Sequence, residues 1–129
     1  MNEVIKKFFS FEDRISRMQF FLYSLCLIPL YIFSYIISLD STYTALAFCF
    51  LTATICTVSS ISLSIRRLHD LNLSGWLVVI QFIYFIPVIK YFTIVFWLIL
   101  MFVPGTFGGN SYGDDPLEEA YITNTDGMD

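Results

Sequence analysis

Charged side chains are scarce in this sequence. Asp, Glu, Lys and Arg make up 14% of its 129 residues, against roughly 25% in an average soluble domain. A soluble domain this small must cover its core with polar surface, and too few polar residues are present to do so. Histidine occurs once, so no second imidazole is available for a metal. The three cysteines, Cys26, Cys49 and Cys56, are odd in number, show no CxxC spacing and lie inside apolar runs. That pattern excludes a disulfide framework and reads as helix packing. The seven basic residues are scattered and form no basic face, so no nucleic-acid partner is expected. No motif calls for a cofactor, and none is expected.

Apolar and aromatic residues are abundant instead. Hydrophobic residues reach 57% and aromatics 19%, with 14 Phe and 8 Tyr, and the mean hydropathy is +0.70. These values describe an integral membrane protein and exclude a disordered chain or a coiled coil. The net charge of −4 is uneven. Lys6, Lys7, Arg14 and Arg17 precede the first long apolar run, and Arg66–Arg67 follow the second. Asp114, Asp115, Glu118, Glu119, Asp126 and Asp129 crowd the tail.

Residues 1–17 read as an interfacial N-terminal segment, with Val4, Ile5, Phe8 and Phe9 on one helical face. Ser16 and Gln19 have the form of a capping box. It opens an uncharged run over 18–39, roughly 33 Å long as a helix and enough to span about 30 Å of hydrocarbon. Pro29 is placed to kink it. Residues 40–42 form a turn, and a second uncharged span covers 43–65. Its small residues Ala45, Cys49, Ala53, Cys56 or Thr57, Ser60 and Ser64 predict a close-packed stripe and the most buried helix of the bundle. A polar connection over 66–74 follows, with Asn72 or Ser74 as the cap of the next helix. The apolar run beginning at Gly75 is broken by Pro87 and Lys90. It is either one kinked helix with Lys90 in lipid, or two short helices over 75–87 and 90–103. Residues 104–129 begin with Gly/Pro-rich turns and end in an acidic tail. No cleavable leader is recognisable, because the first apolar run is too long for one.

Three polar clusters carry the remaining signal. The first is Phe11-Glu12-Asp13-Arg14-Ile15-Ser16-Arg17, continuing to Phe20-Phe21. The second is Arg66-Arg67-Leu68-His69-Asp70, continuing to Ser74-Gly75-Trp76. The third is Pro104-Gly105-Thr106-Phe107-Gly108-Gly109-Asn110-Ser111-Tyr112-Gly113, ending Asp114-Asp115-Pro116. In this order they resemble the bacterial domain of unknown function 805 family over about residues 5–116. Asp13 stands where that pattern has Gly, Phe21 and Leu77 where it has Trp, and Ser111 where it has Arg. The resemblance implies a small multi-spanning bacterial inner-membrane protein and supplies no catalytic residues.

The fold expected is all-α: a membrane helical bundle with four helices, two full spans plus a shorter helical hairpin, and three helices as the alternative. Lys and Arg in short loops place the N-terminus and the second connection in the cytoplasm. Four crossings would bring the C-terminal tail to the same face and let all three clusters meet. Arg14, Arg17, Arg66, Arg67, His69, Asp70, Ser74, Trp76, Asn110, Tyr112 and Asp115 are the candidate polar cap. Its arginines either attract anionic headgroups, at about 1 kcal/mol each, or pair with Asp70, Asp114 or Asp115. His69–Asp70 reads as structural hydrogen bonding, with a proton relay as the sharper alternative. The expected partners are the bilayer, anionic lipid headgroups or another membrane protein, with oligomerisation left open. A non-enzymatic binding protein is the leading reading. A transporter or channel component and a membrane enzyme acting on lipid phosphates are the alternatives.

Overall fold

The computed structural model describes residues 8–9, 11–39, 42–85 and 90–118. Among them the chain is helical, with no strand beyond an isolated bridge between Asn110 and Gly113. Helix α1 spans Arg17–Ser38 and helix α2 spans Tyr43–Asp70. A 3-10 helix covers Gly75–Phe85, and helix α3 covers Lys90–Phe102. Two long helices and a shorter helical pair therefore make the four-helix arrangement. Pro87 and the turn residues Asp40 and Ser41 lie outside the described residues, as do Val4, Ile5 and the acidic end from Glu119.

Local chemistry sets the boundaries. Ser16 caps α1 by accepting from the Gln19 amide at 3.3 Å, and the Gln19 side chain accepts from the Ser16 amide at 3.0 Å. Two backbone donors that helix geometry leaves orphaned are thus satisfied reciprocally. Thr42 caps α2 through the Ala45 amide at 3.3 Å. The end of α2 differs from the sequence expectation. Residues 66–70 continue the helix instead of opening a loop, and 28 residues make it about 42 Å long. Asn72, at φ 56°, terminates it. The Asn72 amide bonds the His69 carbonyl and the Leu73 amide bonds the Leu68 carbonyl, a paired reverse bond that needs a left-handed residue between helix and loop. Asn72 is therefore the stop of α2, while Ser74 receives the Trp76 amide at 3.4 Å.

The third segment was expected as an α-helix over 75–87 and is a 3-10 helix over Gly75–Phe85. Val78, Val79 and Ile80 are β-branched and lower its α preference. At about 2.0 Å rise, its 11 residues cover roughly 22 Å, where an α-helix would cover about 17 Å. The looser winding lets a short run reach further. The end of α3 returns to the end of α2, because Arg67 donates to the Leu100 and Val103 carbonyls. Lys90 accordingly opens α3 at the opposite end of the bundle.

Helices α1 and α2 form the most extensive pair, while α3 packs chiefly on the 3-10 helix. Between α1 and α2, the Thr52 hydroxyl meets the Ser34 hydroxyl at 2.9 Å, and the Cys49 thiol donates to the Ser34 carbonyl at 3.2 Å. Helix α2 carries ten buried residues against two on α1, which makes it the better-buried of the two long helices. Its inner face runs through Ala45, Cys49, Thr52, Cys56, Ser59 and Leu63, whereas Ala53 and Thr57 are exposed. Of the expected stripe, Ala45, Cys49, Cys56, Ser60 and Ser64 are buried or half-buried, and Ala53 departs from it. A helix packed against a neighbour presents residues about every 3.5 positions, so two successive steps of four from Ala45 carry Ala53 off the interface. The core gathers toward one end, around Ile15, Phe20, Leu27, Leu63, Leu68, Val78, Phe96 and Leu100.

The outer surface is apolar. Ile32, Tyr35 and Ile36 of α1, Leu39 just after it, and Phe50 and Leu51 of α2 are all more than half exposed. Soluble proteins rarely expose so large a contiguous apolar surface. Both long helices are long and apolar enough to cross a membrane.

Candidate functional site

The core end of the bundle is closed by a polar cap, built around one carboxylate. Asp70 ends α2 and sits beneath the segment that follows α3. Arg14 grips its Oδ1 with Nε at 3.2 Å and Nη2 at 3.0 Å. Arg67, one helical turn away, holds Oδ2 through Nη1. All three side chains are at most 4% exposed. A buried charge survives only when paired and hydrogen-bonded, and here both conditions are met on every side. Arg14 also donates to the carbonyls of Thr106 at 2.6 Å, Gly108 at 2.7 Å and Gly113 at 3.2 Å. Arg67 donates to the carbonyls of Ile15, Leu100 and Val103. The two planar forks thus tie the start of α1, the ends of α2 and α3 and the tail into one unit.

The Gly-rich segment supplies acceptors because its turns point carbonyls inward. Gly108 at φ 69° and Gly113 at φ 136° hold conformations that a side chain would strain. Gly105 is required for a different reason. A Cβ there would stand 2.8 Å from Asp70 Oδ1 and closer still to the rest of the carboxylate. Thr106 was absent from the sequence candidates and proves central. Its amide and hydroxyl donate to the Asp70 carbonyl at 2.9 and 3.1 Å, while its hydroxyl accepts from Arg14 at 3.2 Å and from Asn110 at 2.9 Å. Its place in the Pro104-Gly105-Thr106 triplet was the available signal.

The other candidates divide by position. Asn110 donates to the His69 carbonyl at 2.9 Å and accepts from the Tyr112 amide at 2.8 Å. His69 stacks on Tyr112 with ring centroids 4.0 Å apart and planes 5° from parallel. Asp115 accepts from the amides of Gly108 at 3.0 Å and Leu117 at 2.9 Å, so it organises the turn instead of pairing with an arginine. Arg66 is buried on the side facing Asp13 and Tyr23. Ser74 and Trp76 lie on a separate shallow cavity of about 460 Å³ shared with His69 and Tyr112, and Trp76 is 83% exposed. Arg17, the first residue of α1, is exposed and forms no ion pair among the described residues. Among the described residues no group of three His, Cys, Asp or Glu side chains is arranged to hold a metal.

Asp13 bears on the motif itself. It holds φ 69° immediately before Arg14, a left-handed conformation that glycine adopts without strain. The Gly that the resembled pattern places here has that physical reason, and Asp is among the few other residues that tolerate it.

Residues 8–114 match the family model described as "Protein of unknown function (DUF805)". Comparison with curated proteins and with solved structures finds no match.

Proposed function

The chain belongs to the DUF805 family, whose function is unknown, and on that premise we propose that it is a non-enzymatic, multi-pass protein of the bacterial inner membrane whose cytoplasmic polar cap binds the headgroup of an anionic phospholipid. The observation that carries the reading is the division of labour among the arginines. Arg14 and Arg67 are consumed inside the cap. Arg17 stands outside, above a cavity formed with Met18, Phe21, Met101 and Phe102. It sits where the polar cap gives way to apolar helix surface, which is the level of lipid phosphates. The basic residues near the cap favour its cytoplasmic placement.

The alternatives fare less well on the same geometry. Thr54, Thr57 and Ser64 turn their hydroxyls back to the carbonyls of Phe50, Ala53 and Ser60 at 2.7–2.8 Å, which leaves little for a solute path. Asp70 is occupied by two guanidinium groups and is a poor base for chemistry on a lipid phosphate. A partner membrane protein is the second reading, favoured by the exposed Trp76 beside the His69–Tyr112 stack. Native mass spectrometry of protein extracted in mild detergent tests the lipid reading. The wild type is expected to retain phosphatidylglycerol over phosphatidylethanolamine, and Arg17→Gln to lose that preference. Retention that ignores headgroup charge, or that is unchanged in Arg17→Gln, overturns it.

A further inference from the structure

The cavity under Arg17 does not end at the cap. It shares Phe21 and Met101 with a second cavity of about 280 Å³. That one shares Tyr31, Ser60, Trp97 and Met101 with a third of about 670 Å³, the largest of the set. Together they form a lateral groove that opens between α1 and α3 near Arg17 and, at its deep end, is also walled by α2 and the 3-10 helix. From Arg17 to Tyr31 is fourteen helical steps, or about 21 Å. Half of a ~30 Å hydrocarbon core is about 15 Å, so the groove reaches past the middle of the bilayer.

We propose that this groove seats one acyl chain of a single anionic phospholipid drawn from the surrounding leaflet, with its phosphate on Arg17. The inference rests on the headgroup reading above and adds a defined chain site to it. Charge complementarity selects the occupant. Two arginines against one aspartate leave the buried cap triad with one surplus positive charge, which the nearby Asp115 offsets, so the exposed Arg17 is the cation that faces the apolar mouth. Below that mouth the walls are Phe21, Leu25, Ile28 and Met101. The polar residues at the deep end are engaged within the protein. Gln81 donates to the Ser64 hydroxyl, Thr93 to the Ile80 carbonyl at 3.3 Å, and Thr57 to the Ala53 carbonyl at 2.8 Å. At the deep end, hydroxyls already satisfied within the protein offer a polar solute few partners; on the wall above them the Ser24 hydroxyl is buried without a partner among the described residues and is the one polar atom there that a chain would cover unpaired. The groove therefore suits a hydrocarbon tail below a phosphate.

Trp97 lines the groove, and the only other tryptophan is Trp76. Full-length Trp76→Phe protein, reconstituted in phosphatidylcholine vesicles, thus reports on the groove alone. Phosphatidylglycerol or phosphatidylcholine with brominated chains is added at equal mole fraction, and quenching of Trp97 is read. The expected result is that brominated phosphatidylglycerol quenches as if enriched about fivefold, the equivalent of ~1 kcal/mol for one cation at an anionic surface. Arg17→Gln should return the ratio to one, and Arg17→Lys should restore most of it. Equal quenching by both lipids, in protein that retains phosphatidylglycerol through Arg17, overturns the chain site while leaving the headgroup reading standing. Equal quenching with no retained anionic lipid overturns both. Quenching by neither lipid means that a second copy of the chain covers the groove, and the proposal fails.

Discussion

Asp70→Asn removes the carboxylate that two buried guanidinium groups share. Arg14 holds one oxygen at 3.0–3.2 Å, Arg67 holds the other, and none of the three side chains is more than 4% exposed. Deleting one partner of a buried pair costs about 3–5 kcal/mol, because the charge left behind is uncompensated. Here two cations would be left facing each other, which places the cost toward the upper end. At about 1.4 kcal/mol per factor of ten, opening of the cap would rise on the order of a thousandfold. The carbonyls that Arg14 and Arg67 also hold would retain part of the tail, so at least a tenfold change should survive. Hydrogen exchange followed by mass spectrometry in detergent micelles reads this directly. The amide of Thr106, bonded to the Asp70 carbonyl at 2.9 Å, reports whether the tail is closed. Exchange over 104–113 should accelerate at least tenfold in Asp70→Asn, while the middle of α1 stays protected. Unchanged protection over 104–113 would show that carbonyl contacts alone hold the tail, and the shared-carboxylate account would be wrong.

Three further outcomes follow from the same geometry. Gly105→Ala should lower the thermal midpoint in detergent by the equivalent of about 1–3 kcal/mol, since its Cβ would overlap a carboxylate that two arginines prevent from moving; a midpoint equal to wild type contradicts that packing. Asp13→Gly and Asp13→Ala both delete the carboxylate, so their difference isolates backbone strain at φ 69°, and the Gly protein should be the more stable by about 1 kcal/mol. Tyr112→Ala should lose about 0.5–1.5 kcal/mol from the stack on His69, seen as faster exchange at Asn110 and Gly113, whereas Tyr112→Phe should keep wild-type exchange.

Much of this architecture can be read from short stretches of sequence. The Ser16–Gln19 box is legible because its partners are three residues apart, and the two long helices because a charge-free run of that length has few other uses. The break in the third run is legible from Pro87 and Lys90; its 3-10 winding is not, because the β-branched run Val78-Val79-Ile80 lowers α preference without specifying what replaces it. What local pattern could not give is the fate of residues 66–70. A cluster of charges after an apolar span looks like a loop until its partners are known. Here those partners are Arg14, 56 residues away from Asp70, and the carbonyls of Leu100 and Val103, 33 and 36 residues away from Arg67. The same distance hid the separation of Arg17 from Arg14 and Arg67. All three look alike in sequence, and only the packed tail shows which cations are already taken.

The account depends most on the three polar clusters sharing the cytoplasmic face, and the side of the membrane reached by the C-terminus tests that most directly. Fusions placed after residue 129 can carry either green fluorescent protein, which fluoresces when fused on the cytoplasmic side, or alkaline phosphatase, which is active only in the periplasm. Bright fluorescence with inactive phosphatase is the predicted pair of results. Active phosphatase with a dark fluorescent fusion would put the tail across the membrane from the arginines, and the cap could not exist as described.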